Sequence, residues 1–176
     1  MSTTKWVLDP THSEATFKVK HLMFTNVSGN FTKFEGAVTS DDENFENASF
    51  EFSADADSVN TNNADRDGHL KSADFFDVEQ FPKLTFTSTS FTKKSGDDYI
   101  LTGDFTLHGV TKPVTLDVEY GGIQKDPWGN IKAGFSATGK VNRKDFGLSW
   151  NAALETGGVM LGEDVKLALE LQFVKQ

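Results

Sequence analysis

The chain contains no cysteine in 176 residues. Disulfide frameworks, thiolate metal sites and thiol nucleophiles are therefore excluded, while the redox compartment is left open. Long hydrophobic runs are also missing: the longest uninterrupted apolar stretch is three residues, as in Leu22-Met23-Phe24, against the roughly 20 that a spanning helix requires. Basic residues are in deficit, with 17 Lys and Arg against 26 Asp and Glu and a net charge of −9. An acidic surface of that size repels phosphate backbones and anionic lipid headgroups, so no nucleic-acid partner is expected. The start, Met-Ser-Thr-Thr-Lys-Trp, lacks the basic start and apolar stretch of a secretory signal and runs straight into strand-like sequence. A cytoplasmic location is the expectation, or a periplasmic one if the sequence is the mature form of an exported protein.

Against these absences stands one excess. There are 16 Phe but 3 Trp and 2 Tyr, so a modest apolar content is concentrated in large rings. The length suits one domain with one core. Its dominant signal is alternation of period two, which marks half-buried strands. Val165, Leu167, Leu169, Leu171 and Phe173 alternate with Lys166, Ala168, Glu170 and Gln172. Ala15, Phe17, Val19 and His21 form a similar set, as do Phe50, Phe52, Ala54 and Ala56, and the set from Tyr99 to Leu107. Val114 to Tyr120 and Ala133 to Val141 complete the pattern.

Turn signals at Ser95-Gly96-Asp97-Asp98, Leu107–Pro113 and Asp126-Pro127-Trp128-Gly129-Asn130 imply antiparallel neighbours. The phase slips between Val27 and Val38, which predicts a bulge near Thr32 or Lys33. One stretch, Asn62 to Phe76, has helical spacing, with Asn62 or Asn63 as a cap. The fold class expected is all-β: an eight-stranded antiparallel β-barrel with one short helix, closed because an open sheet this long would expose unpaired edges.

Chemistry-bearing motifs are sparse. His12, His21, His69 and His108 have no spacing that would place two imidazoles on one metal. Asp9-Pro-Thr-His-Ser13 brings an acid, an imidazole and a hydroxyl together, but without a nucleophile elbow or oxyanion loop it reads as a turn. No phosphate-binding glycine loop is present. The inward Phe17, Phe31, Phe52, Phe86, Phe105, Phe135 and Phe173 either fill a core or line a cavity for a long apolar ligand, and alternation alone does not separate the two.

Several segments, in order, are similar to the YceI family: Trp6-Val-Leu-Asp-Pro-Thr-His-Ser13, Phe17–Met23 followed by Val27–Phe31, Arg66–Asp77 with Phe81-Pro82, Thr102–Pro113, and Arg143-Lys-Asp-Phe-Gly-Leu148. The resemblance implies a lipocalin-like barrel with a short helix at one end and an elongated apolar pocket. It further implies a bound polyisoprenoid, isoprenoid quinone, fatty acid or fatty amide, a homodimer in several members, no further cofactor and no enzymatic activity. Carried onto this chain, it suggests a ligand wall of Phe17, Val19, His21, Phe52, Phe105, Leu107 and Phe135. Arg66, His69, Leu70, Phe75 and Phe76 would close the mouth and reach a polar head, unless Arg66 instead pairs with Asp74 or another acid to fix the helix. Gly103, Gly109 and Gly139 read as backbone necessities. The competing reading is a solid barrel acting as a stress-related or protein-interaction module; a weaker third is an enzyme or metal protein using His12, His21 or His69.

Overall fold

The computed structural model describes residues 3–22, 25–41, 43–151 and 161–176. Eleven strands and one α-helix follow one another as β1 (Thr3–Leu8), β2 (Glu14–His21), β3 (Thr25–Phe31), β4 (Phe34–Asp41), β5 (Asn44–Asp55), β6 (Val59–Asn60), α1 (Ala64–Lys71), β7 (Lys83–Ser95), β8 (Asp98–Leu107), β9 (Val110–Lys125), β10 (Ile131–Asn142) and β11 (Leu161–Lys175). Every pairing is antiparallel. The ring β1-β4-β5-β7-β8-β9-β10-β11 closes through β1 and β11, giving an eight-stranded barrel. The remaining strands form a flap, β2-β3-β6, on the part of β11 that β1 does not reach.

The eleven segments amount to eight long strands, three of them broken. β1 and β2 both pair with β11, at residues 173–175 and 161–170 respectively, and a 3-10 turn at Pro10–His12 separates them. β5 and β6 are likewise parted by a turn at Ala56–Ser58. β3 and β4 are parted at Thr32-Lys33, which is a break between strands and not the bulge that the phase slip suggested. The reason lies in the partners: β3 pairs with β2 and β6, whereas β4 pairs with β1 and β5. Each break lets its strand leave the ring, so the barrel widens into a flap whose outer edge is β6.

The corner at Asp9 shows why the first break is sharp. The Asp9 carboxylate accepts from Thr11 N at 3.1 Å and Thr11 Oγ1 at 2.7 Å, lies 2.8 Å from His12 Nδ1, and accepts from Lys132 Nζ at 3.1 Å. Ser13 Oγ donates to the Asp9 carbonyl. This is a latch tying the turn to β10, and its acid, imidazole and hydroxyl are used by the fold. The Thr11 hydroxyl, then the His12 and Lys132 bonds, hold the Asp9 carboxyl well below its ordinary range. Its contribution is therefore complete above the unfolded value near ~3.9 and fades as pH falls below that. Asp9→Asn should lower the melting temperature at pH 7, and the gap from wild type should shrink progressively below about pH 4; thermal melts across pH 2–7 check both points.

Two glycines are forced by close approach. A Cβ on Gly103 would sit 2.5 Å from both Phe86 Cζ and the Thr87 carbonyl oxygen. Gly109 has φ +74° and would meet Phe81 Cε1 at 2.5 Å. Real bulges occur elsewhere, between Ser88 and Ser90 and between Gly134 and Phe135. At Asn47 a left-handed φ of 66° shifts the phase of β5, so Phe45 and Ala48 both point inward.

One end of the barrel is packed solid. Trp6 is 0% exposed and its indole donates to Ser40 Oγ at 3.0 Å. Phe45, Phe91, Tyr99, Tyr120 and Phe135 join it in a ring cluster, with Trp6–Phe45 centroids 5.0 Å apart and Phe91–Tyr99 stacked at 4.6 Å.

Candidate functional site: a two-chamber apolar interior

Above that plug the interior is hollow. A mouth chamber of about 200 Å³ lies beside α1, and a deep chamber of about 120 Å³ lies further in. They share Phe17, Phe31, Leu84, Phe105 and Leu167, so these five side chains, one from each of five strands, form the waist where the two chambers adjoin. Phe50 and Phe173 are the floor of the deep chamber. Their rings also touch Phe135, which joins the floor to the plug beneath it.

The sequence-predicted residues divide by depth. Phe17, Val19 and His21 of β2 line the mouth chamber together with Arg66, His69, Leu70, Phe75, Phe76, Phe105 and Leu107. Phe52 lines the deep chamber, where Phe17 and Phe105 also reach. Phe135 is corrected: it is 3% exposed, belongs to neither chamber wall and packs in the plug against Phe45, Tyr120 and Phe91. Alternation placed its side chain inward, but the rings that surround it come from strands distant in sequence and fill the space it would otherwise line.

The mouth is organised by a short helix. α1 begins at Asn63, whose side chain accepts from Arg66 N at 3.1 Å. It ends at Lys71, short of the expected Phe76, because Ser72 leaves the helical conformation and its hydroxyl captures the His69 carbonyl. Phe75 and Phe76 then lie in the turn that follows. Arg66 does not pair with Asp74. Its Nε donates to Thr61 Oγ1 at 2.8 Å and its Nη2 to the Thr61 carbonyl at 2.7 Å, bracing the helix against the residue after β6. Asp74 instead meets His69 Nε2 at 2.9 Å. The His69 ring stands edge-on to Trp150 at 4.8 Å and to Phe75 at 5.0 Å, so three rings frame the mouth.

Among the lining residues outside the sequence-derived set, Trp150 and Arg143 carry the most chemistry. Trp150 follows no periodic strand, so alternation carried no signal for it. Arg143 lies in the Arg143–Leu148 segment, where the sequence shows a family signature and no role of its own. It is 4% exposed and lines the mouth chamber. Its Nε donates to the Gly162 carbonyl at 2.8 Å, and its Nη1 to the carbonyls of Leu148 and Trp150 at 2.6 and 2.8 Å. Burial pushes the guanidinium below its ordinary value, partly opposed by the Glu163 charge.

Among the described residues no three His, Cys, Asp or Glu side chains come together as metal ligands. No helix among them is long and apolar enough to cross a membrane.

A closed antiparallel barrel with a blocked end, an apolar interior and a helix at its mouth is the architecture of barrels that enclose small ligands. The chain belongs to the YceI-like domain family, whose model matches residues 6–173. It is 41% identical over 171 residues to a UPF0312 protein of Staphylococcus aureus strain N315, covering 97% of each chain. The YceI protein of Campylobacter jejuni superposes with a TM-score of 0.77 at 34% identity, covering 89% of this chain and 90% of that one. A polyisoprenoid-binding domain from Saccharophagus degradans superposes with a TM-score of 0.68 at 19% identity, covering 97% and 98%, a likeness of fold alone.

Proposed function

We propose that the protein is a non-catalytic carrier for a long-chain apolar lipid, with a polyisoprenoid as the favoured cargo over a fatty-acid-like chain. The observation that carries this reading is the pair of adjoining chambers, which share five lining side chains and are walled mainly by Phe, Leu and Val. Such a space suits a narrow chain that enters beside α1 and stops at the aromatic floor. Ten buried methylenes would contribute about 8 kcal/mol before association costs, so few polar contacts are needed for useful affinity. The S. degradans neighbour, described as polyisoprenoid-binding, supports the choice of cargo through a shared fold.

Organic extraction of freshly purified protein followed by mass spectrometry should release a lipid in roughly stoichiometric amount. Trp150, in the chamber wall, supplies a native reporter. Adding a prenol to stripped protein should change its emission, and Trp150→Phe should remove most of that change while Trp6 and Trp128 remain. A clean extract together with an unresponsive Trp150 would overturn the carrier reading in favour of a barrel that works through its outer surface.

A further inference from the structure

The mouth chamber has a charge character opposite to that of the chain. The protein has 26 acidic residues and a net charge of −9, yet among the described residues no Asp or Glu lines this chamber, while Arg66 and Arg143 both do. Arg143 is the more telling of the two. Three backbone carbonyls take its Nε and Nη1 protons, but Nη2 is buried without any hydrogen-bond partner. It is the sole buried side-chain nitrogen or oxygen left in that state among the described residues.

Leaving a buried guanidinium proton unpaired costs free energy, more than for a neutral polar group. The acid that acts on Arg143 at a distance is Glu163, and it is engaged elsewhere, 2.9 Å from Lys144 Nζ. Among the described residues, the Arg143 charge is thus offset by carbonyl dipoles and by no carboxylate in contact. Arg66 stands at the rim, fixed through Nε and Nη2 to Thr61.

We infer that the mouth chamber seats an anionic lipid head, a carboxylate or a phosphate, on Arg143 with Arg66 closing over it, so that the tail runs through the Phe17–Phe105 waist into the deep chamber. This rests on the carrier reading and adds head chemistry and orientation to it. A carboxylate or phosphate oxygen supplies the acceptor that Nη2 lacks, and charge-assisted bonds are roughly twice as strong as neutral ones. A neutral alcohol supplies an acceptor without the charge. A hydrocarbon supplies neither.

The test holds the tail constant and varies the head. Farnesoic acid, farnesyl phosphate and farnesol are titrated into lipid-stripped protein, with affinities read by calorimetry. The expected result is that at least one of the two anions binds about tenfold or more tightly than farnesol, and their ratio tells carboxylate from phosphate. Arg66→Met, at the exposed rim, should reduce the ratio of anion to farnesol affinity several-fold. Arg143→Lys retains the charge but loses the fork, and is used only if its thermal melt stays cooperative; it too should narrow the preference. Equal binding of all three heads by the wild-type protein would overturn the inference and leave the carrier reading standing. Binding of none would overturn the carrier reading itself, and the inference with it.

Discussion

Leu167→Trp is expected to abolish most lipid uptake while leaving the barrel folded. Leu167 lies on β11 at the waist shared by both chambers, and its neighbours there are Phe17, Phe31, Leu84 and Phe105. Replacing an isobutyl group with two fused rings at this point fills the passage without displacing backbone, because the added atoms enter existing empty space. A chain forced out of the deep chamber loses several buried methylenes. Even a loss of about 2 kcal/mol would weaken binding roughly thirtyfold. The adjacent Lys166→Trp supplies the control: Lys166 is exposed on the outer face, so the same ring one position away should leave affinity unchanged. Fluorescence titration of both variants with the same prenol, beside their thermal melts, checks the pair. Equal loss in both would mean that the waist does not conduct the ligand.

The second large effect lies at the other end of the barrel and falls on stability, with binding left intact. Trp6→Ala removes a fully buried ring that packs 5.0 Å from Phe45 and donates to Ser40 Oγ. Truncations of this kind cost about 3–5 kcal/mol through lost transfer energy and the cavity left behind. For a domain of this size that lowers the melting temperature by roughly 6–20 °C. Trp6 touches neither chamber, so saturating lipid should still raise the variant's melting temperature by about as much as it raises that of wild type. Scanning calorimetry with and without lipid separates the two quantities. Loss of the lipid-induced shift would show that the plug supports the binding end after all.

These outcomes divide the Phe residues by role, and that division marks where sequence reasoning stops. Alternation of apolar and polar residues reports which side of a strand a residue faces. It placed Phe17, Phe52, Phe105 and Phe135 inside the barrel alike, and all four do point inward. It contains no coordinate along the barrel axis. Three of the four meet empty space and Phe135 meets five other rings, a difference set by strands that are far apart in the chain.

Local chemistry was more legible than depth. The Asn63 cap and the Asp9 turn follow from side chains that bond to backbone within a few residues, and such bonds form wherever the chain goes. The end of α1 was misjudged because Ser72 competes for a carbonyl that helical spacing alone assigns to the next turn. The slip at Thr32-Lys33 was visible as a change of phase, but whether a phase change is a bulge or a break depends on which strands pair on either side. Arg143 was visible only as a letter in a motif: its burial, its three carbonyl partners and its unpaired Nη2 come from segments at 148, 150 and 162 that fold around it.

By itself, the sequence determined an antiparallel β fold, its inward face, its acidic character and its short capped helix, because each of these is written in composition, in neighbours or in alternate positions along one strand. Only the tertiary structure decided that the barrel is solid at one end and hollow at the other, and that a buried cation lines the hollow part, because void and charge compensation are sums over side chains that closure brings together from the whole chain.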